Sequence, residues 1–451
     1  MSTITELRFR PSPSSAPGHS SMSRSFNVCA CSFVVQLAAM HSCLIAAEWP
    51  QFRGPTGQGT SAEKGLPVEW GSEKNLVWQV ELPGPGGSSP VVVGDRVILT
   101  CYRGYNEPGN AGSMNELKRV LVCLDRKTGK EIWSTATGKE IWSTATAAKL
   151  PEQDRIRDEH GYATSTPVVD KDRIYVFYGK SGVQAFSLSG KPLWQSDVGD
   201  GLNGWGSASS PVLFQDLVIV NASVESASLV ALERATGQER WRARGIKESW
   251  NTPVLVKTPD GRTELVVAIF GKVLGFDPLT GNELWSCATD IQWYMVPCVV
   301  AHEGVVYCIG GRTGGALAVR AGGKGDVTAT HRLWVGKKGS NVSSPIFDSG
   351  RLYWTHEQLG IAYCADAKTG EMLYEERLPR GGQFYPSAVA GDGKLYYTSR
   401  MGKTFVVAAK PEFELLAVND LDDRSYFHAR PAISDGRIYI RSDRKLYCIG
   451  K

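Results

Sequence analysis

Residues 273–285 read VLGFDPLTGNELW, and the same pattern returns at 229–241 (LVALERATGQERW), 183–194 (VQAFSLSGKPLW) and 121–133 (LVCLDRKTGKEIW). Each copy is a short apolar strand, a turn on Thr-Gly or Ser-Gly, and a second strand that ends on Trp. A fifth copy, LAVRAGGKGDVTATHRLW (317–334), is split by an insertion, and a sixth, AYCADAKTGEMLY (362–374), ends on Tyr. A seventh is worn down to FVVAAKPEFELL (405–416). Trp194, Trp241, Trp285 and Trp334 stand 47, 44 and 49 residues apart, a period that suits one four-stranded propeller blade per repeat.

Upstream of each copy lies a second hairpin: SSPVVVGDRVILT (88–100), STPVVDKDRIYVFY (165–178), SSPVLFQDLVIV (209–220), SSPIFDSGRLYW (343–354) and RPAISDGRIYI (430–440). Alternating apolar residues around Gly-Asp or Asp-Gly turns predict antiparallel pairs. Inner strands open near Ser88, Thr164, Ser209, Asn251, Val296, Ser343, Tyr385 and Ala429, which gives eight blades. The last lacks an outer strand, while NLVWQVEL (75–82) is an outer-type strand with no blade before it. Pairing these two orphan edges closes the ring. The expected fold is therefore all-β: an eight-bladed β-propeller of four-stranded antiparallel blades, closed by an N-terminal strand.

The aromatics that end the outer strands, Trp78, Trp133, Trp194, Trp241, Trp285, Trp334 and Tyr374, are expected to dock blade against blade, filling the gap that a radial arrangement leaves. TGKEIWSTA occurs twice in tandem, at 128–136 and 137–145. Only the first copy directly follows the strand VLVCLD, so Trp133 is placed in the docking position. In the competing register the second copy docks and the first is looped out.

With 49 Gly and 23 Pro among 451 residues, and 42% hydrophobic, the chain is too turn-rich for a helical bundle and too apolar for disorder. A net charge of +4, from 50 basic and 46 acidic side chains, provides no basic stripe for nucleic acid. Arg24 precedes an uncharged run to Ala47, read as a secretory signal peptide cleaved near Ala47. Translation from Met1 or from Met22 would both supply it, the latter making residues 1–21 an over-called start. The predicted organisation is a leader over 1–47, an extended segment over 48–74 and a propeller over 75–451. The expected product is exported and monomeric, without a membrane span. Seven cysteines remain after the leader, an odd number set mostly in apolar strands, so no disulfide scaffold is expected.

The repeats, together with EWPQFRGPTGQG (48–59), HGYATSTPV (160–168) and NGWGSASSPV (203–212), resemble secreted bacterial proteins with pyrroloquinoline-quinone (PQQ)-like propellers, the wider group that includes the BamB lipoprotein. The resemblance covers residues 48–451. It implies a non-catalytic scaffold for an envelope protein or polymer, with a PQQ-dependent, calcium-containing oxidoreductase or a small-molecule binder as the alternative. Quinoprotein dehydrogenases carry adjacent cysteines beside the cofactor, and neither a Cys-Cys pair nor a C-x-x-C-H site occurs here, which disfavours PQQ.

Other catalytic patterns are missing as well. GPTGQGTS and GPGGSS lack phosphate-loop spacing, His302-Glu303 and His356-Glu357 lack the second His of a zinc helix, and Asp420, Asp422 and Asp423 lack the calcium-loop pattern. Topology places the loops before the inner strands on one face, with those joining second to third strands. The candidate binding rim is His160, Tyr162, Trp205, Trp250, Trp293, Arg312, Phe384, Arg400 and His428. Aromatics interleaved with cations suit a sugar, an anion or a peptide; packing of the funnel wall is the other use of the same residues.

Overall fold

The structure, a computed structural model, describes residues 48–130, 134–136, 140–141, 143–154, 156, 160–312 and 314–450. The leader, Trp133 and Trp142 lie outside them. Eight four-stranded antiparallel sheets follow one another along the chain as propeller blades. Blade 1 runs Val91–Val93, Arg96–Arg103, Lys118–Asp125 and Ser143–Ala147, from inner to outer strand. The inner strands of blades 2 to 8 are Val168–Val169, Val212–Phe214, Val254–Lys257, Val300–His302, Ile346–Asp348, Val389–Gly391 and Ala432–Ser434. The hairpin turns of blades 5 to 8 place two consecutive residues at positive φ, such as Asp435 (57°) and Gly436 (67°), the geometry that matches strand twist.

The ring closes through the N-terminal strand. Leu76–Glu81 pairs antiparallel with Lys445–Ile449 and becomes the outer strand of blade 8. In blade 1 the expected register is corrected: the outer strand is Ser143–Ala147, paired with Lys118–Val122, while Ser134–Ala136 of the first TGKEIWSTA copy pairs with Glu140–Ile141 as a separate hairpin. The second copy leads straight into the lock on blade 2, where Thr144 Oγ1 donates to Gly190 O at 2.9 Å and Thr146 Oγ1 to Gln184 Oε1 at 3.0 Å.

Between blades, the outer-strand Trp rings meet the Thr-Gly turn of the next blade. Trp78, Trp194, Trp241 and Trp334 donate Nε1–H to the carbonyls of Arg126, Arg234, Pro278 and Ala367 at 3.0–3.1 Å. Each ring lies flat against the glycine of that turn: a Cβ on Gly281 (φ 72°) would sit 2.4 Å from the Trp241 ring. Asp-x-x-Thr-Gly shapes the turn. Asp277 Oδ1, for example, accepts from the backbone N–H of Leu279 and Thr280.

Three blades depart from this rule. Trp285, fully buried, donates at 2.7 Å to Glu264 of its own blade, because the insertion in blade 5 replaces the turn and lays Gly325–Asp326 along the outer strand instead. Tyr374 meets Phe413 edge to face at 5.5 Å. Blade 8 has no Thr-Gly turn for blade 7 to dock against, and Trp70 fills the space, stacked at 6.2 Å on Tyr396 with its backbone N–H bonded to Asn419 Oδ1.

A second circle of bonds runs inside the first. In blades 1 to 6 the backbone N–H just before the inner strand donates to a small side chain on the following blade: Ser89 to Thr166 Oγ1, Thr166 to Ser210 Oγ, Ser210 to Thr252 Oγ1, Thr252 to Cys298 Sγ, Cys298 to Ser344 Oγ and Ser344 to Ser387 Oγ. Arg430 occupies this position in blade 8, and its N–H returns to Ser89 Oγ.

Trp241→Ala should cost about 3–5 kcal/mol in denaturant unfolding, as for a large buried aromatic. Gly281→Val should cost a comparable amount, and the double variant less than the sum, since both remove one contact. Strict additivity would show that ring and glycine do not act on each other.

Candidate functional site

The segment Trp49–Ser61 converts the central channel into a blind funnel. Trp49 exchanges backbone bonds with Val92 of blade 1 and Pro50 O accepts from Val169 of blade 2. On the opposite side of the ring, Arg53 reaches Pro345 O of blade 6, Gln58 Oε1 accepts from Ala301 of blade 5, and Thr60–Ser61 lies parallel to Ala390–Gly391 of blade 7. The segment thus crosses the axis. Phe52 faces into a cavity of about 890 Å³.

Aromatic rings dominate one wall. Tyr294 is central, with Trp293, Trp250 and Trp205 at 5.1, 5.6 and 6.3 Å between ring centroids. Trp205 is 46% exposed at the mouth, whereas Trp250 is only 7% exposed, its Nε1 bonded to Gly206 O at 2.7 Å. Exposed Arg312 stands over Trp293 at 5.9 Å. His160 bridges Thr164 Oγ1 (2.6 Å) and Trp205 O, tying two loops together. His428 lines the opposite side near Tyr426.

The cavity therefore gathers His160, Trp205, Trp250, Trp293, Arg312 and His428 from the expected rim. Three residues are placed elsewhere. Phe384 is fully buried against Phe405, because alternate residues of the extended chain point opposite ways and its neighbour Tyr385 takes the cavity side. Tyr162 packs edge to face on Tyr102 at 5.2 Å, with its hydroxyl on Gln153 O, over the buried Arg119–Glu152 ion pair; burial pushes its phenol up to about 12. Arg400 is sandwiched between Tyr385 (4.5 Å) and Tyr426 (4.8 Å) and bonded to Gln383 Oε1, behind the wall.

The sequence reading also missed Phe52, Asn341, Glu357 and Arg430. Arg430 carried a signal: aligned on the inner strands, it stands where Ser, Thr or Cys stands in the other blades. Glu357 is the single carboxylate among the described lining residues, and Ser340 Oγ and Asn341 N–H both donate to it. No three His, Cys, Asp or Glu side chains converge as a metal set among the described residues. A calcium ion takes six to eight oxygens, carbonyls and waters among them, and Glu357 is the one carboxylate that the described lining offers.

Fold and site together define an eight-bladed β-propeller with a blind, aromatic-walled central funnel. Residues 75–251 match the family model described as outer membrane protein assembly factor BamB. Among solved structures, BamB from Moraxella catarrhalis shares 12% identity over 83% of this chain and 97% of its own, with a TM-score of 0.56. The quinohemoprotein alcohol dehydrogenase from Comamonas testosteroni shares 13% over 90% and 81%, at 0.61. The computationally designed Ika8 protein shares 12% over 84% and 100%, at 0.57. No curated protein matches the sequence. No helix among the described residues is long and apolar enough to cross a membrane.

Behind the Trp205 loop, Glu225 is buried and takes a hydrogen bond from Ser207. Burial raises its carboxyl from 4.5 to about 7 against that bond, so the folded protein holds a proton that the unfolded chain releases above about pH 4.5. Stability should fall as pH rises from about 4.5 to 7 and then level off. Glu225→Gln should flatten that slope and, above pH 7, melt higher than the parent by up to about 3 kcal/mol of unfolding free energy. A parallel pH profile for both proteins would refute the assignment.

Proposed function

We propose that this chain is an exported, non-catalytic propeller of the cell envelope that holds a protein or polymer partner at the mouth of its funnel. The observation that carries this reading is the aromatic wall: Trp205, Tyr294 and Trp293 form a stepped set of rings with an exposed Trp205 at one end and an exposed Arg312 over Trp293 at the other. Flat apolar faces with a neighbouring cation favour sugar rings and extended peptides. Export is supported by the Arg24–Ala47 pattern, and an envelope role by the likeness of residues 75–251 to the BamB model.

The second reading, an enzyme dependent on PQQ and calcium, draws on the fold shared with the alcohol dehydrogenase. Against it stand the single, already hydrogen-bonded Glu357 and the lack of adjacent cysteines.

Trp205→Ala combined with Arg312→Ala should leave the unfolding free energy within about 0.5 kcal/mol per site, since both side chains face solvent. The double variant should lose at least tenfold in affinity for envelope polysaccharides or proteins that the parent retains, measured by biolayer interferometry. Oxidation of an alcohol by the parent with added PQQ, calcium and an artificial electron acceptor would overturn the scaffold reading.

A further inference from the structure

At the floor of the funnel lies a positive charge that the protein leaves without a carboxylate. Arg430 is 7% exposed, lines the cavity and stacks its guanidinium over Phe52 at 4.4 Å. Its Nη2 donates to Ser387 Oγ and, at 3.5 Å, to Ser344 Oγ, whereas Nε and Nη1 have no acceptor. Arg53, 1% exposed, lies close enough to repel it, and its own Nε and Nη1 are also without acceptors. Neither forms an ion pair with a carboxylate among the described residues. Desolvation and Arg53 push the Arg430 guanidinium well below its ordinary value, yet an arginine stays protonated in a protein. An ion removed from water in this way calls for a counter-charge.

The surroundings of Arg430 supply hydrogen-bond donors and almost no negative charge. In the inner circle Ser89 Oγ accepts from Arg430 N–H, Ser344 Oγ from Cys298 N–H and Ser387 Oγ from Ser344 N–H. Each of these hydroxyls therefore keeps its own proton to give, and all three line the cavity. Seven blades place a small side chain at this position; the arginine in the eighth brings charge to a ring that needs none for its own bonds. Above it the wall is aromatic, with Arg312 at the mouth. A cavity of about 890 Å³ has the capacity of sites that enclose small organic ligands.

We propose that the funnel floor is an oxyanion site, in which Arg430 and the hydroxyls of Ser89, Ser344 and Ser387 receive the carboxylate or phosphate group of a small organic molecule whose body lies against the Trp250–Tyr294 wall. This site is independent of what docks at the mouth. It also differs from a quinone site held through a metal, because every donor is a guanidinium or a hydroxyl and binding needs no calcium.

The test uses the purified mature protein in chloride buffer with EDTA at constant ionic strength, titrated with inorganic phosphate in one arm and citrate in the other. Calorimetry and thermal unfolding are the readouts. At least one anion should bind with one-to-one stoichiometry and raise the melting temperature saturably; which arm responds tells phosphate from carboxylate recognition. Arg430→Met should weaken that binding at least tenfold while melting no lower than the parent in the absence of the anion, an outcome that a merely structural arginine would not give. Should Arg430→Met fail to fold, Ser344→Ala provides the same test and should weaken binding severalfold. The proposal is overturned if neither anion binds the parent saturably, or if affinity is unchanged in the folded variant.

Discussion

The molecule depends on one repeated hydrogen bond, the backbone N–H that seven of the eight blades give to a small hydroxyl or thiol on the next. Around a narrow axis, eight inner strands converge too closely for large side chains, yet the N–H groups that precede them are buried and must be paired. Ser, Thr and Cys meet both demands. Blade spacing is thereby fixed at the centre, and the outer Trp-on-glycine contacts fill the wedge that widens with radius. The cavity is the space this construction leaves above the inner circle, and its shape is as rigid as the circle beneath it.

Placing Arg430 in that circle adds a charge and reverses the link between blades 7 and 8. The backbone N–H of Arg430 still donates to Ser89 Oγ, so the circuit from blade 8 to blade 1 is intact, while its side chain turns back to Ser387. A structural position has in this way been given a charge. Phe52 and Arg53 supply the lower side of the same region from outside the repeats altogether, so the floor of the funnel is made by two parts of the chain that share no sequence pattern.

The repeats made the fold legible because their signals are local. Asp, Thr, Gly and Trp each act within one turn, and the spacing of the Trp residues counts the blades directly. The plug was not legible. EWPQFRGPTGQG reads as turns, and its partners lie far along the chain: Pro345 for Arg53 and Ala390 for Gly59. Six of the nine loop residues expected at the rim line the cavity, while alternation within an extended segment sent Phe384 into the core and Tyr385 into the cavity, and periodicity cannot fix that phase in a loop. The two copies of TGKEIWSTA are identical and differ only in their flanking residues, so the contacts of Thr144 and Thr146 with blade 2 decide which copy is used.

The placement of residues 49–81 also sets the order in which this protein can be completed. The plug and the closing strand are made before the blades, but Ala301, Pro345, Ala390 and Lys445–Ile449, which hold them, are made well after them. Blades 2 to 6 can pair internally as they emerge, whereas the ring, the floor of the funnel and the edge of blade 8 all wait for the C-terminus. Assembly therefore ends in a single long-range step, slow by virtue of its sequence separation, and until that step an open sheet edge faces the surroundings. A chain built in this way gains by being kept extended or chaperoned until its last residue is available.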